Sequence, residues 1–523
     1  MKKPSRWTLL RKAVRDIVWP EGAVDGGGRP YSGSSVNRLF ADWLVPLLSP
    51  DDETRFSLRQ LRARCRDLAR NNAYARQYLT LLSVNVIGPE GATLQARVTN
   101  NSGDLAETIN ERIEDGFEEW SQSATLSGQM SRVSLEHQMI QNVAHDGEVF
   151  VRMWIGPNVN RFGFALEAVD PDLIDEKMNV APGENQAEVR MGIEVDSFGR
   201  PTAYYVYDKP ETINAQPRNR TRVPASEMIH LYIPKRPNQT RGVPWFHAVM
   251  NAMKMLDGYD EAELVAARVS AAKMGFFVRK ESADPAAIVT PPPGNQIMME
   301  AQPGTLEYAP EGYGIEQFSP DHPSGAYPSF IKACLRRIAA GLGVSYNSLA
   351  SDLEQVNYSS MRSGLLIERD NWRALQRWWI NAFYRRIYPQ WLNAAMLSQA
   401  VVLDTRDFRK FLDVKWTPRG WQWVDPVKDT QAAVGAIHAG LGSRTAVLAE
   451  QGLDYEEVIE QLAEETKIAD QFGVDITGGV PTVTAVESGS DETAGTTGGT
   501  GTNYVTVLRP RKRLADALNG GHK

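Results

Sequence analysis

Cysteine is nearly missing: the 523 residues contain two, Cys65 and Cys334, far apart in the chain. Two cannot build a disulfide framework or a four-sulfur metal site, and an intracellular, reducing setting is the simplest expectation. Also lacking is any run of 18 or more apolar residues, so no membrane-spanning helix is expected. No Gly-Lys pair occurs anywhere. That excludes a Walker A loop, whose lysine neutralises the phosphates its backbone cradles. No Gly-x-Gly-x-x-Gly opens a helix after a strand, no Gly-x-Ser-x-Gly elbow presents a serine, and neither cysteine sits in a protease signature. The seven histidines are scattered, with only His137 and His145 near one another. The group His145, Asp146 and Glu148 is the best cluster for metal or acid/base work, but turn and capping roles explain Asp-Gly well. No catalytic residue, metal ligand or cofactor is assigned, and an enzyme is not expected.

Excess positive charge is absent too, with 57 Lys and Arg against 64 Asp and Glu and a formal net charge of −7. This argues against one large basic surface built to coat nucleic acid. What is present is ordinary globular composition, 42% apolar and 23% charged, in a chain long enough for several domains. The first twenty residues are basic, but Arg11, Lys12, Arg15 and Asp16 interrupt the apolar stretch a signal peptide needs. With the Gly- and Ser-rich segment Asp25–Ser35 they make residues 1–37 a flexible basic arm. Thr477–Asn503 is dominated by Gly, Thr and Ser and has too little apolar area to offset its chain entropy. Residues 477–523 therefore read as a flexible tail, ending in the basic cluster Arg509, Arg511, Lys512 and Arg513.

Between these ends the class is α+β. From Thr54 to about Leu82 the apolar spacing is helical, and Arg59, Arg62, Arg66 and Arg70 form a parallel basic stripe. The stripe could meet phosphates, an acidic neighbouring subunit or solvent. Helices are expected over Asp104–Trp120 and Ser134–His145, followed by β-rich runs with a hairpin at Ser197–Gly199. Helix resumes after Arg241, gives way to a Pro- and Gly-rich insertion, and returns before Gly343. The loop Val344–Asn357 precedes a long aromatic helix, about Tyr358–Ser398, which Pro389 should kink or end. Its tryptophans read as core or subunit contacts. Two further helices reach about Phe472, the last strongly acidic.

Several long phrases occur in one order: RNNAYARQYLTLLSVNVIGPEG, HDGEVFVRMW, GIEVDSFGRPTAYYVY, TRGVPWFHAVMNAMKMLDGYDEAELVAARVSAAKMGFF and RIAAGLGVSYNSLASDLEQVNYSSMRSGLL. Together they resemble the lambda-type portal proteins of tailed bacteriophages over about Arg38–Pro426. The resemblance implies a portal fold with an α/β wing, helical stem, small β-rich clip and helical crown, assembled as a ring. It places the wing at 38–242, the first stem helix at 243–273, the clip at 274–328 and the second stem helix at 329–343. The tunnel loop falls at 344–357, the long helix and its return to the wing at 358–426, and the crown helices at 427–476. Implied partners are a homo-oligomeric ring, typically a dodecamer, double-stranded DNA in its channel, the terminase large subunit, head completion or tail adaptor proteins, and the major capsid and scaffold proteins. Implied location is the virion, at one capsid vertex, and the host cytoplasm during assembly. The channel would be lined at the loop by Asp352, Glu354, Gln355, Asn357 and Tyr358, with no Lys or Arg in the loop to bind passing phosphates. A different phage capsid or head-tail adaptor protein is the alternative.

Overall fold

Ser49 accepts a hydrogen bond from the Asp52 N–H, and Pro50 takes a first-turn position where its missing N–H costs nothing, so helix α1 (Pro50–Arg55) starts there. The computed structural model describes residues 46–100, 103, 105–184, 186–211, 218–271, 275–279, 313–317, 327–354, 358–423 and 425–472. The arm expected at 1–37, the tail at 477–523, most of the 274–328 insertion, and Gln355 and Asn357 lie outside the described residues. The chain divides into two units, residues 1–455 and 456–523.

The helix expected over Thr54–Leu82 is interrupted. Helix α2 (Leu58–Asn71) ends at Asn72, whose backbone is extended (φ −101°, ψ 126°). The Asn72 side chain then caps helix α3 (Ala73–Leu82) by accepting from the Ala75 N–H. A wide turn over Ser83–Ile87 ends at Gly88, in the left-handed region. Helices α4 (Glu107–Ser121) and α5 (Arg132–Asp146) follow, the second capped by Ser131.

Two antiparallel sheets come next. Strand β1 (Thr93–Ala96) precedes α4, while β2 (Glu148–Ile155), β3 (Phe164–Val169), β4 (Glu188–Arg190), β5 (Ile193–Val195), β6 (Pro201–Tyr207), β7 (Arg220–Pro224) and β8 (Met228–Tyr232) follow α5. One sheet has the order β3-β2-β8, with Phe150 opposite Val169 on one side and His230 on the other. The other is the meander β4-β5-β6-β7. Its β5–β6 hairpin turns through Asp196–Arg200, as expected, with Asp196 accepting from the Phe198 and Arg200 N–H groups.

Helix α6 (Met250–Ala271) leads to strand β9 (Gly275–Arg279), which pairs antiparallel with β10 (Tyr313–Gln317) before helix α7 (Tyr327–Leu342) returns. Tyr259 stacks on Tyr327 at 5.8 Å, and a methyl placed on Gly341 would collide with Val249, so α6 and α7 run antiparallel. Segment 344–357, expected as a loop, contains a short helix α8 (Tyr346–Ala350) capped by Ser345.

The long aromatic segment forms α9 (Tyr358–Trp379), a widened turn at Ile380–Tyr384, and α10 (Arg385–Leu397). Pro389 does not end it: α10 runs through the proline to Leu397, with the widened turn at Ile380–Tyr384 ahead of it. Trp372, Trp379, Phe383, Tyr384 and Trp391 are all at most 3% exposed and belong to the main core. Phe117 of α4 meets Trp391 edge-on at 5.0 Å and Trp416 at 5.4 Å. Trp416 belongs to β11 (Val414–Thr417), which pairs antiparallel with β1 and so joins residues about 320 apart. Three helices, not two, follow: α11 (Pro426–His438), α12 (Arg444–Glu450) and α13 (Tyr455–Phe472). Apart from Tyr455, α13 belongs to the second unit and exposes Ile459, Leu462 and Ile468 beside its acids.

Candidate functional site

The segment expected to face a channel is built on a rigid base. Ser345 accepts from the Ser348 N–H, and Glu368 of α9, only 5% exposed, receives hydrogen bonds from the Ser345 N–H and the Ser348 hydroxyl. Gln77 of α3 donates to the Ser348 carbonyl, and Leu349 is fully packed. After α8, Ser351 takes a left-handed conformation (φ 52°) and turns the chain. Asp352 is then held from three sides: the Tyr346 hydroxyl donates to it at 2.7 Å, Lys332 of α7 lies 3.2 Å away, and the Glu354 N–H donates at 3.0 Å. These partners, the tyrosine foremost, hold the Asp352 carboxyl below the usual range. Glu354 has a side chain 79% exposed and a longer, 3.9 Å approach from the same lysine. Of the five residues expected at the channel, Asp352 is therefore a local staple and Glu354 an open charge; Tyr358 opens α9, and Gln355 and Asn357 lie outside the described residues. Lys332, Tyr346 and Glu368 carry no motif in the sequence, because they reach the segment from separate helices or across a turn.

The arginine stripe splits by direction. Arg62, 2% exposed, points inward and pairs with buried Glu148, and Arg66 binds Asp146 at 2.6 Å, Asp170 at 2.9 Å and Asp172 at 2.5 Å. For these two of the four residues this corrects the reading of a stripe available to a neighbouring subunit: α2 packs on α5, and Asp146 at the end of α5, Glu148 at the start of β2 and Asp170 and Asp172 beyond β3 claim Arg62 and Arg66. Arg59 remains exposed, pairing with Glu211, and Arg70 is exposed.

Glu148 is the centre of a buried hub. Its Oε1 receives Arg62 and the Arg241 Nε–H at 2.8 Å, while its Oε2 receives the Gly242 N–H at 2.9 Å and lies 2.8 Å from His230 Nε2. Burial opposes its ionisation, yet Arg241, Arg62 and His230 together hold the carboxyl far below the usual range. Burial lowers the His230 pKa, and because an ionised carboxylate can only accept, His230 Nε2–H is the donor to Glu148. That ring stacks on Phe150 and Tyr232, each at 4.2 Å. The backbones touch as well: a methyl on Gly242 would run into the Gly147 carbonyl oxygen. The two phrases HDGEV and TRGVP thus meet face to face, and the hub ties α2, β2 and β8 to the chain entering α6. Asp146 and Glu148 are engaged by Arg66, Arg62 and Arg241, and His145 Nδ1 lies 3.0 Å from Asp146 Oδ1; among the described residues no group of three or more His, Cys, Asp and Glu is placed to hold a metal ion. Cys65 is buried beside them, its thiol pushed up to about 12 by burial and by Asp146.

The sequence profile described as "Phage portal protein, lambda family" matches residues 36–376. The chain belongs to that portal family. It is 33% identical over 493 residues to the probable portal protein of Halomonas phage phiHAP-1, covering 91% of this chain and 93% of that one. It is 25% identical over 506 residues to portal protein B of Escherichia phage lambda, covering 89% and 93%. Among solved structures it resembles a chain in the neck of a native gene transfer agent particle computed with C12 symmetry, at 14% identity and TM-score 0.40 over 74% of this chain and 92% of that one. The hub lies inside the span matched by the portal family, as does the 344–357 segment.

Proposed function

We propose that this chain is the subunit of a phage portal, a closed ring at one capsid vertex through which double-stranded DNA enters and leaves. Portal family membership, with relatives matched along nearly their whole length, carries the proposal. In this reading 38–242 is the wing, α6 and α7 the stem, the β9–β10 insertion the clip, and α11–α13 the crown. The clip would dock the terminase large subunit during packaging and head completion or tail adaptor proteins afterwards. Wing and crown would face the major capsid and scaffold proteins. Head-to-tail contacts between identical subunits generate a ring when the rotation closes, with twelve the expected number. With Arg62 and Arg66 turned inward, the inter-subunit part of the basic stripe narrows to Arg59 and Arg70.

The mechanism is geometric. Segment 344–357 is stapled to α7 through Lys332 and to α9 through Glu368, so a push on its tip is delivered to two helices rather than absorbed locally. Its open charge, Glu354, is acidic and repels phosphates, which keeps the loop from gripping DNA. Negative-stain imaging tests the assembly: rings with a central hole are expected, and a monomeric globule overturns the portal reading. In a packaging assay, Glu354→Lys and the double variant Asp352→Lys/Glu354→Lys are expected to form rings and slow packaging. Normal packaging by both shows that the segment does not face the DNA.

A further inference from the structure

A second charged feature stands apart from the acidic 344–357 segment and has the opposite sign. A cleft of about 1230 Å³ opens where α9, the widened turn, β11 and α12 converge. Six cationic side chains line it: Arg97, Arg373, Arg377, Arg385, Lys415 and Arg419. Only two carboxylates, Asp413 and Glu450, stand among them. Arg373 has an ion pair with Asp370 at the surface; the other five have none among the described residues. Arg419 instead donates to the Val84 carbonyl and to Asn85 Oδ1.

Beside the cleft three guanidiniums crowd one indole. Arg369, Arg373 and Arg419 lie 5.8, 5.6 and 6.0 Å from the centroid of the Trp421 ring, which donates its N–H to Asn85. Burial, then the like charges of Arg373 and Arg419, pull the Arg369 pKa down. Asp370 and Asp429 offset only part of this charge; like charges in excess of their counter-charge destabilise the chain that holds them, and an external anion relieves the repulsion. Forked, planar guanidiniums suit oxygen anions held two at a time.

We propose that this cleft binds the phosphodiester backbone of DNA, at a site separate from the 344–357 segment. The choice of DNA rests on the portal reading; the choice of a phosphate backbone over an acidic helix rests on the walls. The acidic helix α13 exposes Ile459, Leu462 and Ile468, and a helix docking by that face needs an apolar seat. In the wall Tyr388 and Trp416 are already under 9% exposed, and Trp421 is crowded by its guanidiniums. Arg97, Arg373, Arg377 and Arg385 reach solvent, as do Asn381, Asp413 and Glu450, and the only exposed apolar residues of the lining are the alanines Ala374 and Ala446. A duplex offers evenly spaced charge with no apolar face to bury.

The test uses the assembled full chain and a short fluorescent DNA duplex, titrated across a range of salt concentrations. For Arg377→Gln/Arg385→Gln/Lys415→Gln, weaker binding is expected at every concentration, with the slope of log K against log salt reduced by about 0.9 for each phosphate no longer neutralised. Thermal midpoint and ring images should match the parent. If that variant fails to assemble, Arg377→Gln alone should lower the slope by about 0.9. Unchanged affinity and slope overturn the proposal. So does competition by millimolar inorganic phosphate that matches added unlabelled duplex, which would mark a free-anion site. A third overturning result is tight binding of a peptide spanning 455–472 by the parent and not by the variant, which would make the cleft a seat for the acidic helix of a second copy. If the parent forms no rings yet binds duplex with the cleft-dependent slope, the portal reading fails and the cleft assignment stands.

Discussion

Glu148 shows how a single carboxylate can be indispensable without being reactive. Glu148→Gln leaves Arg62 and Arg241 buried without their counter-charge, and a loss of about 3–5 kcal/mol is expected in chemical denaturation followed by tryptophan fluorescence. The same hub makes the subunit acid-sensitive. An unfolded histidine titrates near ~6.5 and a glutamate near ~4.3, and both His230 and Glu148 sit below these values when folded. Each therefore binds fewer protons folded than unfolded, so stability rises with pH. The full contribution is present above about pH 7; the His230 part is lost progressively as pH falls from about 6.5 towards its lower folded value, and the Glu148 part as pH falls below about 4.3. His230→Gln should abolish the first of these steps, read as the denaturation midpoint between pH 7 and 5. A flat parent profile over that interval overturns the assignment. Glycines separate just as sharply. Gly242→Ala drives a methyl into the Gly147 carbonyl and should cost about 3 kcal/mol or more, whereas Gly258→Ala, in the interior of α6 with nothing within 4 Å, should stabilise by roughly 0.5–1 kcal/mol. Thermal melts of the two variants check both signs.

At the scale of elements, periodicity is a good guide where one face of a segment is buried and its partner lies nearby. The aromatic helix, the hairpin at Ser197–Gly199 and the helix, strand pair, helix order around β9 and β10 are all legible for that reason. Interruptions are not. Asn72 breaks α2 from α3 inside an unbroken apolar repeat, because capping by its side chain depends on backbone geometry rather than composition. Pro389 by itself predicts a kinked or ended helix, yet α10 continues through it to Leu397. The arginine stripe is visible as a pattern, but its direction is hidden, since Asp146 and Glu148 reach it from some 80 residues away. The staple on the 344–357 segment belongs to this scale too. Lys332→Ala should leave α7 and ring formation intact while raising protease cleavage within residues 350–357, measured by limited proteolysis; unchanged cleavage would show that Lys332 does not restrain the segment.

For the whole molecule, acidity and DNA handling are compatible. If subunits close into the proposed ring, a net charge of −7 per chain, multiplied around it, suits a conduit that must not hold its cargo. The cations are sorted: Arg62 and Arg66 into internal ion pairs, Arg377, Arg385 and Lys415 into one cleft. Sequence order alone conveys membership of the portal family through its long phrases, yet nothing local announces that β1 finds its partner in β11. That pairing sets a timetable for synthesis. At about 5–20 residues per second, β1 leaves the ribosome roughly 15–60 seconds before Val414, and until then one edge of the main core stands open. A chain stopped before residue 414 would never close it, and such a product should aggregate rather than yield a smaller soluble portal. Because β1 must wait for β11, subunits complete themselves only near the end of translation, so assembly of the proposed ring would have to wait until whole chains have been released.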